Sequence, residues 1–368
     1  MLRRRPFALP QVEQLPALIA VLQDTELVAP EDPPRFVEAV VAHRIVGAAA
    51  TALDANSLVL PSTRSQELRD AEGVGVLRSA MMRRELGLIA EPVSEAIEAL
   101  PIVLKGPAIA DRFYPDPRLR SFGDLDLLVP RERLGDAVAT LEALGYEESV
   151  ELREGFGATH GHDVHMSRSL GRHRTDVELH WRVGDDALGQ ALAHEALVDR
   201  AVPAGSDRTS LYPSTGDQLL VCSMHLLSDR LKRLAWIEDL RRISLGLDED
   251  AWREAFERAG TLGLLWVLNR ALDYAAHHLD YRRARPLPAG EPPRWGPIRA
   301  VEELDLRASL HLGRLAALPW RRRPRYLRHV LLPSRAGLRG TVGADGAGRV
   351  RMALRHLTRI ARGATPHR

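Results

Sequence analysis

The chain has 368 residues, 45% of them hydrophobic and 27% charged, which suits a water-soluble protein of about two domains. No window approaches the roughly 18 consecutive apolar residues of a membrane span, and Gln11, Glu13 and Gln14 interrupt any signal-type apolar stretch after Arg3-Arg4-Arg5. Formal charge is near neutral at +2 but unevenly spread. Residues 321–368 hold 13 arginines and one acid, Asp345, so this basic tail either meets an anionic partner or forms a solvated face.

In chain order, residues 11–100 read as helical. Val12, Leu15, Leu18, Ile19 and Leu22 recur at helical spacing, as do Phe36, Val37, Val40, Val41 and Ile45. A longer helical stretch, Ser65 to Leu100, carries Leu77, Met81, Leu86, Ile89, Val93 and Ile97, with a break or kink expected at Pro92. The pattern changes at Pro101. Ile102-Val103-Leu104 is a short apolar run bounded by proline and glycine, the mark of a buried strand, and a helix from Pro107 to Tyr114 follows. Pro115-Asp116-Pro117 forces a turn. Leu125 to Val129 is a second strand, and a helix spans Arg131 to Leu144 and ends at Gly145. In the third strand Asp176, Glu178 and His180 alternate with Val177, Leu179 and Trp181, so polar groups share one face. Residues 160–172 form its hairpin partner, turning near Gly171.

After residue 186 the reading is helical again, over Asp217–Ser228, Leu231–Leu245, Ala251–Gly260 and Leu262–His278. The single cysteine, Cys222, excludes an internal disulfide and fits a reducing cytoplasm, and Leu219, Leu220 and Val221 beside it point to a buried thiol. Tyr281–Pro297 reads as a loop, Val301–Leu318 and Tyr326–Leu332 as helical patches, Arg335–Gly348 as a glycine-rich flexible segment and Arg349–Arg362 as a basic helix. This divides the chain into an N-terminal helical region (1–100), an α/β core (101–185), a C-terminal helical domain (186–334) and a tail (335–368).

Chemistry concentrates in the core. Asp124 and Asp126 lie two apart on a strand and project from the same face. Carboxylates that close repel unless a cation lies between them, and a hard divalent ion such as Mg2+ or Mn2+ supplies that charge to oxygen ligands. Glu178 on the neighbouring strand is placed to complete a two-metal site, with Asp176 on the same face as the alternative. Lys105 is one of only two lysines among 51 basic residues, and a compact ammonium suits a phosphate. Gly106 permits a tight turn, and Arg120 is available to neutralise a phosphate tail. His180 is positioned for a triphosphate or acceptor contact, or is a hydrogen-bonded histidine at a strand end. His225, Arg233, Trp236 and Asp239 either pack helices or form one cleft wall, with Trp236 offering a stacking face. His160, His162 and His165 superficially resemble a metallo-β-lactamase signature, but the aspartate, Asp163, falls one position early. They line the hairpin near bound phosphates, bind zinc, or stand exposed.

The ordered set Leu104-Lys105-Gly106, Tyr114-Pro115-Asp116-Pro117 with Arg118 and Arg120, Gly123-Asp124-Leu125-Asp126, and Glu178-Leu179-His180-Trp181 resembles the bacterial uncharacterised nucleotidyltransferase family of the nucleotidyltransferase superfamily. The run Arg233-Leu234-Ala235-Trp236-Ile237-Glu238-Asp239 and His225 match its helical half. The resemblance implies an α+β fold with a small mixed β-sheet flanked by N- and C-terminal helical regions. It also implies Mg2+- or Mn2+-dependent transfer of a nucleoside monophosphate from a nucleoside triphosphate, with Asp124 and Asp126 on metal, Glu178 completing the metal site or helping to deprotonate the acceptor hydroxyl, and Lys105, Gly106, Arg120, His180 and Trp236 on the nucleotide. One departure stands out: the superfamily's Gly-Ser turn is Gly106-Pro107 here, so no serine hydroxyl faces the phosphate. A nucleotide sugar as donor, or binding without turnover, fits the same residues. Small-molecule, peptide, protein and RNA acceptors are all compatible.

Overall fold

The computed structural model describes residues 15–23, 29–148, 161–171, 173–184, 187–205, 208–228, 233–279 and 320–331, with a few isolated positions besides. His160, most of the loop and helical patches expected over 281–318, and the whole tail from 335 onward lie outside the described residues.

Four helices open the fold: α1 (Leu15–Gln23), α2 (Pro33–Ala42), α3 (Val46–Ala55) and α4 (Ser62–Ile97). α2 starts where a cap and a proline coincide, the Asp32 carboxylate accepting the Arg35 amide at 3.1 Å ahead of Pro33. α4 corrects the sequence reading twice. It runs unbroken through Pro92, because one missing amide near its end is outweighed by Val93 and Ile97, both buried against the sheet. Its inward face runs through Ser79, Met82, Glu85, Ile89, Val93 and Ile97, whereas Leu77 is 56% exposed. A partly polar inward face defeats a search for apolar periodicity.

The sheet has seven strands: β1 (Ile102–Val103), β2 (Leu125–Leu128), β3 (Glu147–Glu148), β4 (Asp163–Leu170), β5 (His173–His180), β6 (Val202–Pro203) and β7 (Leu211–Tyr212), in the order β3-β4-β5-β2-β1-β7-β6. β2 and β5 run parallel. β4 is antiparallel to β5, and β1 to β2. The mixed sheet between helical regions is the α+β architecture expected, but β6 and β7 lie between residue 186 and Asp217, in a region expected to be helical where the sequence marks no element of its own. Strands of two residues show no alternation to detect, and Pro203 is tolerated because β6 is an edge.

Period-two alternation sorts side chains to the two faces of the sheet. Leu125, Leu127, Val164, Met166, Val177 and Leu179 pack with Met82, Ile89 and Val93 of α4 and with Leu134, Ala137 and Leu141 of α6 (Leu134–Ala143). The opposite face carries Asp126, Glu178, His180, Asp163 and His165. A second core beyond it joins α1–α3 to the C-terminal helices. Between sheet and helices stand α5 (Pro107–Phe113) and the short turns α7 (Ala187–Gln190) and α8 (His194–Leu197). The C-terminal helices are α9 (Thr215–Ser228), α10 (Leu234–Leu245), α11 (Glu249–Thr261) and α12 (Leu265–His278), and α13 (Arg323–Leu331) follows. α10 begins at Leu234 because Arg233 is extended (φ −142°). No described helix is long and apolar enough to cross a membrane.

On the apolar side one polar knot fixes α4 to the sheet. Buried Glu85 accepts from the Tyr146 hydroxyl and pairs with Arg168, whose other Nη donates to the Leu144 carbonyl at 2.9 Å. Removing one partner of a buried pair leaves an uncompensated charge. Glu85→Ala is therefore expected to lower stability by about 3–5 kcal/mol in urea denaturation, and a loss below about 1 kcal/mol would show the knot to be dispensable.

Candidate active site

The polar face of the sheet is built by register. Asp126 on β2, Glu178 on β5 and His165 on β4 occupy one cross-strand row; Leu128, His180 and Asp163 form the next. The parallel β2–β5 pairing puts two acids of like charge side by side, and Lys105, immediately after β1, reaches over them with Nζ 2.8 Å from Asp126 Oδ1. His180 Nε2 lies 3.1 Å from the same oxygen and 3.6 Å from Glu178 Oε2. His165 bridges Glu178 Oε1 (3.1 Å from Nδ1) and Asp163 Oδ2 (2.8 Å from Nε2). Acids and cations thus alternate across the face.

The electrostatics follow from this packing. Burial opposes every charge, but the partners prevail at most positions. Asp126 and Glu178 hold the Lys105 ammonium above its ordinary value. Against its burial, His180 is raised to about 9 by Asp126 and Glu178, and His165 to about 10 by Asp163 and Glu178. Glu178, bonded by both histidines, is held well below the carboxylate range, and Lys105 keeps Asp126 low. Asp124 differs. Burial first, then the charges of Asp126 and Glu178, push its carboxyl up, and it makes no hydrogen bond or ion pair among the described residues. Lys105 and Arg44 offset this only in part.

The other residues singled out from sequence scatter around this centre. Gly106 sits at φ +59° and ψ −109°, and a Cβ there would meet the Phe122 ring at 3.2 Å, so glycine is required for backbone reasons. Arg120 is engaged inside the fold: its Nε and one Nη pair with Asp239 at 2.8 Å each, and its other Nη donates to the Ser121 carbonyl at 2.7 Å. Tyr114 donates to the same Asp239 at 2.8 Å, completing a clamp between the 117–119 turn and α10. Trp236 lies half-buried with its ring 4.8 Å from His225, and Arg233 stands 5.1 Å over it. His225 Nδ1 in turn lies 3.4 Å from Lys105 Nζ, so it accepts from the ammonium. Asp176 turns to Arg174 (2.8 Å) and Arg78 (3.8 Å) while Glu178 joins Asp126. His162 lies beside the centre, its ring 5.5 Å from that of His180. In the sequence Asp163 stands only inside a misleading histidine signature; its alternation with His165 along β4 is the usable signal.

The profile of the family described as uncharacterised nucleotidyltransferase matches residues 29–280, more than half of the chain. The chain belongs to that family. The matched span takes in α2 to α12, so the helices on both sides of the sheet belong to the family unit along with the carboxylate strands. Comparison with curated proteins and with solved structures returns no match. The donor set of this nucleotidyltransferase-family chain, carboxylates mixed with imidazoles, fits a divalent cation once the histidines give up their protons, and among the described residues Asp124 belongs to none of the groups whose ligand atoms lie together. Asp126, Glu178 and His180 offer ligand atoms within 4.8 Å of one another, as do Asp163, His165 and Glu178, and the buried His180 Nδ1 has no hydrogen-bond partner.

Both the histidine and the thiol of this region can be checked by titration. His180 is raised from 6.5 to about 9, so its contribution to stability is complete below about pH 6.5 and is lost as pH rises through 9. In metal-free buffer, the stability gap between wild type and His180→Gln should narrow between about pH 6 and pH 10, and a constant gap would contradict the ion pairing. Burial pushes the Cys222 thiol up to about 12. Iodoacetamide at about pH 8 should therefore leave the native protein unlabelled and label it fully in urea.

Proposed function

We propose that this chain is a metal-dependent nucleotidyltransferase that moves a nucleoside monophosphate from a nucleoside triphosphate to an acceptor hydroxyl. The observation that carries the reading is the side-by-side pairing of Asp126 and Glu178 on parallel strands, with Lys105 at 2.8 Å and Asp124 two residues upstream. Asp124, Asp126 and Glu178 would hold Mg2+ or Mn2+. Such ions, when bound, polarise the phosphate and stabilise charge on the attacking and leaving oxygens.

The reaction forms a bond from the acceptor oxygen to the α-phosphorus and breaks the α–β bridge, pyrophosphate departs with the displaced electron pair, and the proton of the acceptor hydroxyl passes to water. The residues contribute mainly by position and charge. Lys105 keeps its proton under all ordinary conditions, so it orients phosphate oxygens as a fixed cation. His165 and His180 hold Glu178 ionised, which suits it to bind a cation and makes it a poor proton acceptor. Asp163 fixes the far side of His165, so the imidazole cannot rotate away from Glu178. Trp236 forms the wall beyond His225, within the reach of a base or acceptor that Lys105 orients.

Incubation with labelled nucleoside triphosphates and Mg2+ or Mn2+ should release pyrophosphate. Asp126→Asn and Glu178→Gln should each lower the rate by ~10³-fold, the loss seen when a transition-state charge contact is removed, and EDTA should abolish it. Full activity in the Asp124→Ala/Asp126→Ala double variant would refute the reading. Release of a nucleoside diphosphate from a nucleotide sugar, detected by mass spectrometry, would replace it with glycosyl transfer.

A further inference from the structure

The start of α5 offers few backbone donors to a polyphosphate. Pro107 has no amide hydrogen, and the amides of Ala108 and Ile109 donate inward, to the Lys105 carbonyl (3.3 Å) and the Gly106 carbonyl (3.2 Å). Lys105 is paired with Asp126, and Arg120 with Asp239. From there Lys105 reaches only phosphate oxygens lying over the carboxylates, and Arg120 is engaged, so the charge that receives the β- and γ-phosphates has to come from elsewhere in the fold.

The turn between α2 and α3 supplies a candidate. Its anchor is His43, fully buried, whose Nδ1 accepts the Leu234 amide at 3.2 Å and whose carbonyl accepts the Ala235 amide at 3.3 Å. Those are the first amides of α10, so His43 caps that helix across 191 residues of sequence. The next residue, Arg44, is thereby set beside Arg233, the residue before Leu234. α3 packs so closely on the 117–119 turn that a Cβ on Gly47 would stand 2.9 Å from the Leu119 Cα. Arg44 is half-buried at φ +56°, a conformation that non-glycine residues adopt at a cost. Its guanidinium has no hydrogen bond or ion pair among the described residues, while Asp124, Arg233, Arg120 and Arg78 all lie within electrostatic reach. Burial, and next the charge of Arg233, lower its proton affinity to a pKa of about 10. A strained, half-buried arginine next to a second arginine is eased only in part by Asp124, and an anion bridging the two would relieve their repulsion further.

We infer that Arg44 and Arg233 form the polyphosphate subsite of this centre, gripping the β- and γ-phosphates while the α-phosphate lies over the carboxylates. The inference rests on the triphosphate donor proposed above. It makes the α2–α3 turn part of the substrate cleft and assigns to two arginines the role that the missing serine of the Gly-Ser turn would have had.

The test is isothermal titration with inorganic tripolyphosphate, first in metal-free buffer and then with Mg2+. The wild type should bind, Arg44→Gln and Arg233→Gln should each bind ~10- to 100-fold more weakly, as expected for loss of one charge-assisted contact, and Arg44→Lys should fall between. Arg35→Gln, an exposed change of equal charge, should bind as wild type does. If Arg44→Gln does not fold, as judged by circular dichroism, Arg233→Gln decides alone. Tripolyphosphate binding equal in wild type and both glutamine variants overturns the subsite, as does absence of binding to the wild type. Binding that depends on the arginines, without pyrophosphate release from any nucleotide, supports the subsite and counts against transfer. Pyrophosphate release with an unchanged KM for the nucleotide in both variants does the reverse.

Discussion

Placing carboxylates of like charge side by side on the buried face of a sheet is unfavourable, and much of the architecture around β2 and β5 serves to tolerate it. Asp126 and Glu178 are neighbours because parallel pairing puts them in register, and neither can move without shifting a strand. The fold answers with an ammonium from the end of β1 and imidazoles from β4 and β5, each within about a hydrogen bond's length of an acid. Buried ion pairs of this kind add little net stability, since desolvation consumes most of the attraction. Their value lies in geometry: they hold acids close together, in fixed orientation, in a medium where charge acts strongly. Asp124 is the acid this neutralisation reaches least: burial and its acidic neighbours push its carboxyl up, and Lys105 and Arg44 offset them only in part.

Two long-range clamps assemble the walls around that face. The Arg120–Asp239–Tyr114 cluster ties the turn before β2 to α10, and His43 ties the α2–α3 turn to the start of the same helix. α10 therefore serves as the reference against which the sheet and the N-terminal helices are both positioned. From there a continuous series of contacts leads back to the acids: Arg233 over Trp236, Trp236 against His225, His225 to Lys105, Lys105 to Asp126. Residues far apart in sequence thus meet in one series of contacts, and the family unit spanning residues 29–280 includes the helices as well as the strands that supply them.

The parts legible from sequence share a physical origin. Alternation along 176–181 and the Asp-x-Asp spacing at 124–126 are local consequences of strand geometry, and a local rule can be read locally. The same holds for the Gly106 turn and for the burial of Cys222. Arg120 shows the limit. A cation shortly before Gly123 and Asp124 looks like a phosphate ligand, but its partner is Asp239, 119 residues away, and only packing reveals that the charge is already engaged. The inward face of α4 escapes the sequence for a related reason, because Glu85 and Ser79 turn inward to partners on other elements. The strands of two residues leave no period to detect.

By itself the sequence determined which residues can share a sheet face, where the tight turn must fall, and which family's pattern the chain carries, because each depends on spacing along one or two strands. Only the tertiary structure decided which acids pair, which cations are committed to the fold, and that Arg44 stands beside Arg233. Those outcomes depend on side chains brought together from distant parts of the chain, where burial and Coulomb attraction select partners that no local spacing encodes.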